Sequence, residues 1–187
     1  IERHSFGEAW EWLEKARRHD PADPIPHAVE LNIFLEVGLL DSVQSHLYAL
    51  LQKGSLPGAM EKPVLDYYLF TSNEQGYNTL ARKMYAGDEK QIAYALGRYY
   101  LFRKNWTMAD SLYRVSSRPD QMDAGLIALQ LGRRAQGIPL LQNTIHARLQ
   151  FMNYYHAWHA FDISRCYAAL EDTRYLEFFN KAISKGW

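Results

Sequence analysis

The sequence predicts an all-α fold of antiparallel helix pairs, and three observations predict it. Apolar residues recur at three- and four-residue spacing from Phe6 to Ile183, the period of a helix. Alternating runs of Val, Ile and Thr, the mark of strands, are absent. The apolar series Ala9, Leu13 and Ala16 returns 34 residues later as Val43, Leu47 and Leu50, so a unit repeats. The reading is roughly ten helices in antiparallel pairs.

Taken in order, Glu2 to His19 reads as a lone helix, stopped by Asp20-Pro21-Ala22-Asp23-Pro24, because proline ends a helix and biases the residue before it away from helical angles. Pro26–Val37 and Leu40–Gln52 form the first pair, with Gly38 at the turn, where a left-handed backbone costs glycine least. Lys53-Gly54-Ser55-Leu56-Pro57-Gly58 is the clearest loop. Met60–Thr71 and Asn73–Ala86 come after it, with Leu65, Tyr68, Leu80 and Met84 on the apolar face and no Gly or Ala marking a close contact. Next come Glu89–Arg103 with Thr107–Ser116, then Asp120–Leu131 with Gln136–Gln150, joined at Gly132. In that pair Gly125 and Gly137 are the small residues and Leu141 and Ile145 the large ones, and Pro139 must lie in the first turn or kink its helix. Phe151–Leu170 and Thr173–Lys185 close the chain. The face Leu176, Phe179, Ile183 has Lys and Asn neighbours, as a capping helix would.

Composition narrows the function classes. A chain of 187 residues, 48% hydrophobic and 22% charged, can bury a core and is not disordered. The 21 basic residues balance the 21 acidic ones, so no global field draws in nucleic acid or an anionic membrane. Aromatics reach 14%, with thirteen Tyr and five Trp, residues that pack between helices and also dominate binding surfaces. The single cysteine, Cys166, excludes an intrachain disulfide. A cytoplasmic protein fits that count; a periplasmic or other exported domain of a larger protein fits it as well. No apolar run reaches the length of a membrane span, so a membrane role is not expected for this chain. A start at Ile1 rather than Met suggests an excised or processed piece.

The stretch from Ala93 to Pro119 carries the most specific pattern. It reads Ala93-x-x-Leu96-Gly97-x-x-Tyr100, Trp106, Ala109-x-x-x-Tyr113, Pro119. This resembles the tetratricopeptide repeat (TPR), W-x2-L-G-x2-Y…A-x3-F…P, with Ala in place of the opening Trp. Pro21, twelve residues after Ala9, falls where the family has its terminal Pro. The resemblance implies an alpha-alpha superhelix, a TPR-like solenoid in one domain over residues 1–187. Its units are a partial repeat 1–20 and repeats about 24–53, 59–87, 89–117, 119–150 and 151–186. Gly97 and Ala109 would lie at the tightest helix contact, with Leu96 and Tyr100 in the core.

In that family the first helix of each repeat lines a concave groove that holds extended peptides or helices. On the matched repeat, this implies Gln91, Tyr94, Arg98, Leu101 and Phe102 as partner-binding residues. Residues 94, 98 and 102 form one stripe, each four apart. The Lys, Asn and Arg set with which some members grip a C-terminal carboxylate is missing, so the resemblance implies an aromatic, more apolar ligand surface. A second aromatic cluster, Phe151, Tyr154, Tyr155, Trp158 and Phe161, covers too much of a helix to face one way; part meets a neighbouring repeat or part meets a partner. Tyr155 and His159 are assigned from it to the groove.

Chemistry-bearing patterns are weak. His156 and His159, with His146 as a third, lack a complementary acidic or Cys ligand and read as packed or groove-lining histidines. Cys166 sits mid-helix, away from any helix N-terminus that would activate it. Asp110-Ser111 and His4-Ser5 have no nucleophile elbow, and Gly54 to Gly58 has no phosphate-loop Lys. Asp20 and Asp23 read as helix caps. The expectation is therefore a non-catalytic scaffold that binds a protein or peptide partner, with no cofactor, no metal and no nucleic acid. The rival expectation is a regulatory, sensory or oligomerising module of a larger protein such as a transcription regulator, which would bind a small-molecule effector or self-associate, for example as a homodimer.

Overall fold

The structure, a computed structural model, describes residues 5–51, 58–116, 120–151 and 156–185. Those residues form eleven α-helices and contain no strand: α1 Ser5–His19, α2 Pro24–Glu36, α3 Leu40–Leu51, α4 Glu61–Phe70, α5 Glu74–Met84, α6 Glu89–Phe102, α7 Trp106–Val115, α8 Gln121–Gln130, α9 Arg134–Phe151, α10 His156–Ala169 and α11 Tyr175–Ser184. A 3-10 turn, Gly58–Met60, precedes α4. The protein is all-α, and neighbouring helices pack on one another. The loop from Lys53 to Pro57, with Pro119, lies outside the described residues.

One turn closes all five helix pairs. Gly38, Ser72, Lys104, Gly132 and Glu171 each take a positive φ, between 57° and 76°. In each, the next amide reaches back into the preceding helix: Leu39 N–H donates to Phe34 O at 2.8 Å, Asn73 to Tyr68 O at 2.9 Å, Asn105 to Tyr100 O at 2.8 Å, Arg133 to Ala128 O at 2.8 Å and Asp172 to Tyr167 O at 2.9 Å. This is the Schellman bond, which satisfies helix-end carbonyls and turns the chain back. Asn73 and Asn105 also cap the next helix, accepting from Gly76 N–H at 2.9 Å and Met108 N–H at 3.3 Å. Three of the five positions are not glycine, so the strain of a left-handed side chain is accepted to keep the turn.

The described residues divide into two compact units, 5–88 and 89–185. In the first, α1 packs on α2, and α2 packs on both α3 and α4. Its core includes Leu31 and Val43, both fully buried, with Met60, Val64 and Leu80. In the second, α6 pairs with α7, α8 with α9 and α10 with α11, while α8 also meets α7 and α10. Met122, Leu141, Ile163, Cys166, Tyr167 and Phe178 form its main cluster.

Gly97 is buried at a tight contact with α7, where the side chain it meets is that of Tyr113. Ala109 is fully buried, and a Cβ on Gly97 would stand 2.6 Å from the Tyr113 ring. Gly125 and Gly137 bring α8 and α9 still closer: a Cβ on Gly137 would come 2.9 Å from the Gly125 carbonyl oxygen. Four details differ from the sequence reading. Leu96 and Tyr100 are half-buried and Tyr99 is the buried tyrosine of α6, its ring edge-on to Tyr100 at 5.6 Å. Ala16 is exposed, because α1 packs chiefly on α2 and needs a narrower apolar stripe. Pro139 is the sixth residue of α9, because the Gly132 turn starts that helix at Arg134. On α11 the buried residues are Phe178, packed on Tyr167 at 5.5 Å, and Ala182, whereas Leu176, Phe179 and Ile183 are exposed. The inner face of α11 is thus turned by about one residue from the expected one, and its apolar outer face is not that of a water-facing cap.

Candidate functional site

The face of the C-terminal unit built by α6, α8 and α10 concentrates its polar chemistry. On α6, Arg98 and Phe102 are exposed, and Gln91, Tyr94 and Leu101 are half-buried. Tyr94 sets its ring edge against Tyr113 at 5.8 Å, and both Tyr94 and Leu101 pack on the Ala109–Tyr113–Ile127 cluster. The stripe expected at residues 94, 98 and 102 therefore splits: its first residue is partly core, and the other two face outward.

Next to it, α8 buries a carboxylate. Asp123 accepts a hydrogen bond from the Tyr113 hydroxyl at 2.7 Å. Burial raises its pKa, and the Tyr113 bond and the charges of Arg165 and Arg98 only partly oppose the rise. The Tyr113 hydroxyl is raised in turn by burial and by the Asp123 charge. On α10, the half-buried Asp162 is also raised by its partial desolvation, against the pull of Arg148 and Arg165. Arg148 Nε on α9 lies 3.1 Å from Asp162 Oδ2. His159, half-buried on the same helix as Asp162, is lowered by burial and then by Arg148, so its imidazole is neutral at neutral pH. Arg165 is exposed and rests over the Phe161 ring at 5.9 Å. Arg98, Asp123, Arg165, Asp162 and His159 thus lie within electrostatic reach, each of the next. The sequence pattern points to Arg98 and His159, but not to Asp123, Asp162, Arg148 or Arg165.

No known protein family, curated protein or solved structure matches this chain.

The missed residues leave little trace in sequence. Asp123 lies three positions after the Asp120 cap in what looks like an ordinary acidic first turn, and only the packing of α7 shows that it is buried. Tyr155 lies outside the described residues, as does Tyr154. The rest of that aromatic cluster divides: Phe151 and Trp158 are exposed and Phe161 is half-buried. Cys166 is fully buried and burial pushes its thiol up to about 12, so it stays protonated and is a poor nucleophile at neutral pH. Elsewhere in the unit, α9, α10 and the α10–α11 turn border a cleft of about 400 Å³ lined by Arg134, His146, Tyr167 and Arg174 among others. Asp172 beside it is held down to about 2 by the Arg174 side chain. Among the described residues, no helix is long and apolar enough to cross a membrane.

Proposed function

We propose that this chain is a non-catalytic interaction module of the tetratricopeptide type, in which α6, α8 and α10 present a groove to a segment of a partner protein. The observation that carries the reading is the shared face of those three helices, each the first of its pair, with Arg98 and Arg165 set among Asp123, Asp162 and His159. Such a face offers two exposed cations, the exposed aromatic Phe102 and acceptors that are already desolvated. It suits an extended segment that carries both acidic and aromatic side chains. The recurring left-handed turn supports the repeat assignment, since each pair leaves its turn by the same bond.

The test is selection from a displayed peptide library on the immobilised chain, followed by calorimetry on the selected peptides. Arg98→Ala combined with Arg165→Ala should weaken binding at least about tenfold, a loss of about 1.4 kcal/mol, while the melting temperature stays that of the parent. Peptides that bind the double variant as tightly as the parent would remove this face from consideration.

A further inference from the structure

We propose that His27, Glu30 and His46 form a binding site for a divalent transition ion of the zinc class, in the N-terminal unit and apart from the α6–α8–α10 face. His27 and Glu30 are three residues apart on α2, so both project from one side of that helix. α3, folded back by the Gly38 turn, brings His46 to them. The ligand atoms of the three residues lie within 4.8 Å of one another, and this is the one such His/Glu set among the described residues. His46 Nδ1 is 3.2 Å from Glu30 Oε2, and the two imidazole rings have centroids 5.2 Å apart.

Two imidazoles and one carboxylate are ligands that zinc favours, leaving a fourth position for water or for a donor from elsewhere. Bonds of about 2.0–2.2 Å place tetrahedral ligands roughly 3.4 Å apart, so the widest separation here closes with a modest side-chain rotation. Glu30 is buried, whereas His27 and His46 are half-buried and leave a path from solvent. A buried carboxylate needs a positive partner. Arg17 on α1 supplies it, donating from Nη2 to Glu30 Oε2. That guanidinium competes with a metal for the carboxylate. It is about a quarter exposed at the end of its helix, so it can swing outward when an ion enters.

The competition separates a metal site from a purely structural Arg–Glu–His network. The full chain, freed of metal with a chelator, is titrated with zinc chloride by calorimetry and with cobalt(II) by visible absorption. One ion per chain is expected, with a visible cobalt band. His27→Gln and Glu30→Gln, checked for helix content, should each weaken binding at least about tenfold. Arg17→Met should bind zinc more tightly than the parent even though it melts earlier in chelator, a reversal that a structural network does not produce. His146→Ala, in the other unit, should titrate like the parent. The proposal is overturned if the parent takes up no cobalt, if His27→Gln binds like the parent, or if Arg17→Met loses stability without gaining affinity.

Discussion

The helix pairs of the two units can be superimposed in sequence on their shared turn. In four of the five pairs, the residue seven before the left-handed position and the residue five after it are both buried. In the N-terminal unit these positions hold Leu31 with Val43 and Leu65 with Tyr77. In the C-terminal unit they hold Gly97 with Ala109 and Gly125 with Gly137. Large residues hold helix axes apart and small ones let backbones meet, because interaxial distance depends on the side chains at the contact. The α4–α5 pair shows a close approach only off this frame, where a Cβ on Gly76 would come 3.0 Å from the Tyr68 ring. The difference decides where polar groups can go. Within the α2–α3 pair Glu30 and His46 meet beside Leu31, whereas at the α8–α9 seam backbone comes against backbone and the buried carboxylate of α8, Asp123, bonds instead to Tyr113 on α7.

Substitutions in opposite senses test this contrast. Leu31→Ala should cost most, about 2–5 kcal/mol in chemical denaturation, because a fully buried Leu leaves a cavity that a wide pair fills poorly. Gly137→Leu should cost about 1–3 kcal/mol by overpacking, since even its first carbon meets the Gly125 carbonyl. If Gly137→Leu melts with the parent while Leu31→Ala unfolds it, the close approach of α8 and α9 is wrong and the comparison breaks.

A smaller effect concerns pH. Asp123 has a native pKa above its unfolded value of 3.8, so folding favours its protonated form. Its contribution to stability is greatest below 3.8, declines as pH rises through the native value, and is level above it. Asp123→Asn keeps an acceptor for the Tyr113 hydroxyl and removes that decline. Melting monitored from acid to neutral pH should therefore fall less on the alkaline side for Asp123→Asn than for the parent. Asp110 has the opposite sign. Burial would raise it, but hydrogen bonds from Arg133 at 2.6 Å and Arg114 at 3.0 Å outweigh burial and lower it. Its contribution is present above the unfolded value and lost as pH falls through the native one, so Asp110→Asn should flatten the acid limb instead.

Residues on the outer face should matter least to stability. Phe102→Ala should stay within about 0.5 kcal/mol of the parent, whereas Tyr94→Ala, from the same sequence stripe, should cost clearly more because its ring packs on Tyr113. Equal melting temperatures for the two would restore the single stripe expected from the four-residue spacing.

The sequence alone determined the helical class, the helix limits to within a few residues, and the turns at Gly38 and Gly132. It also located the close approach of Gly125 and Gly137, and Gly97 and Ala109 as buried small residues. These are local properties: periodicity, capping residues, and the rarity of glycine inside a helix. Only the tertiary structure decided which way each face points and which polar groups meet. Leu176, Phe179 and Ile183 make as good an apolar stripe as any, yet Phe178 and Ala182 face the core because α11 docks on α10 through Tyr167. His27 and Glu30 look ordinary three residues apart on a helix; only the fold brings His46 and Arg17 to them. A rotation of one or two residues changes little in helix propensity but exchanges buried for exposed side chains, and so the packing of neighbouring helices, not local periodicity, selects among the faces.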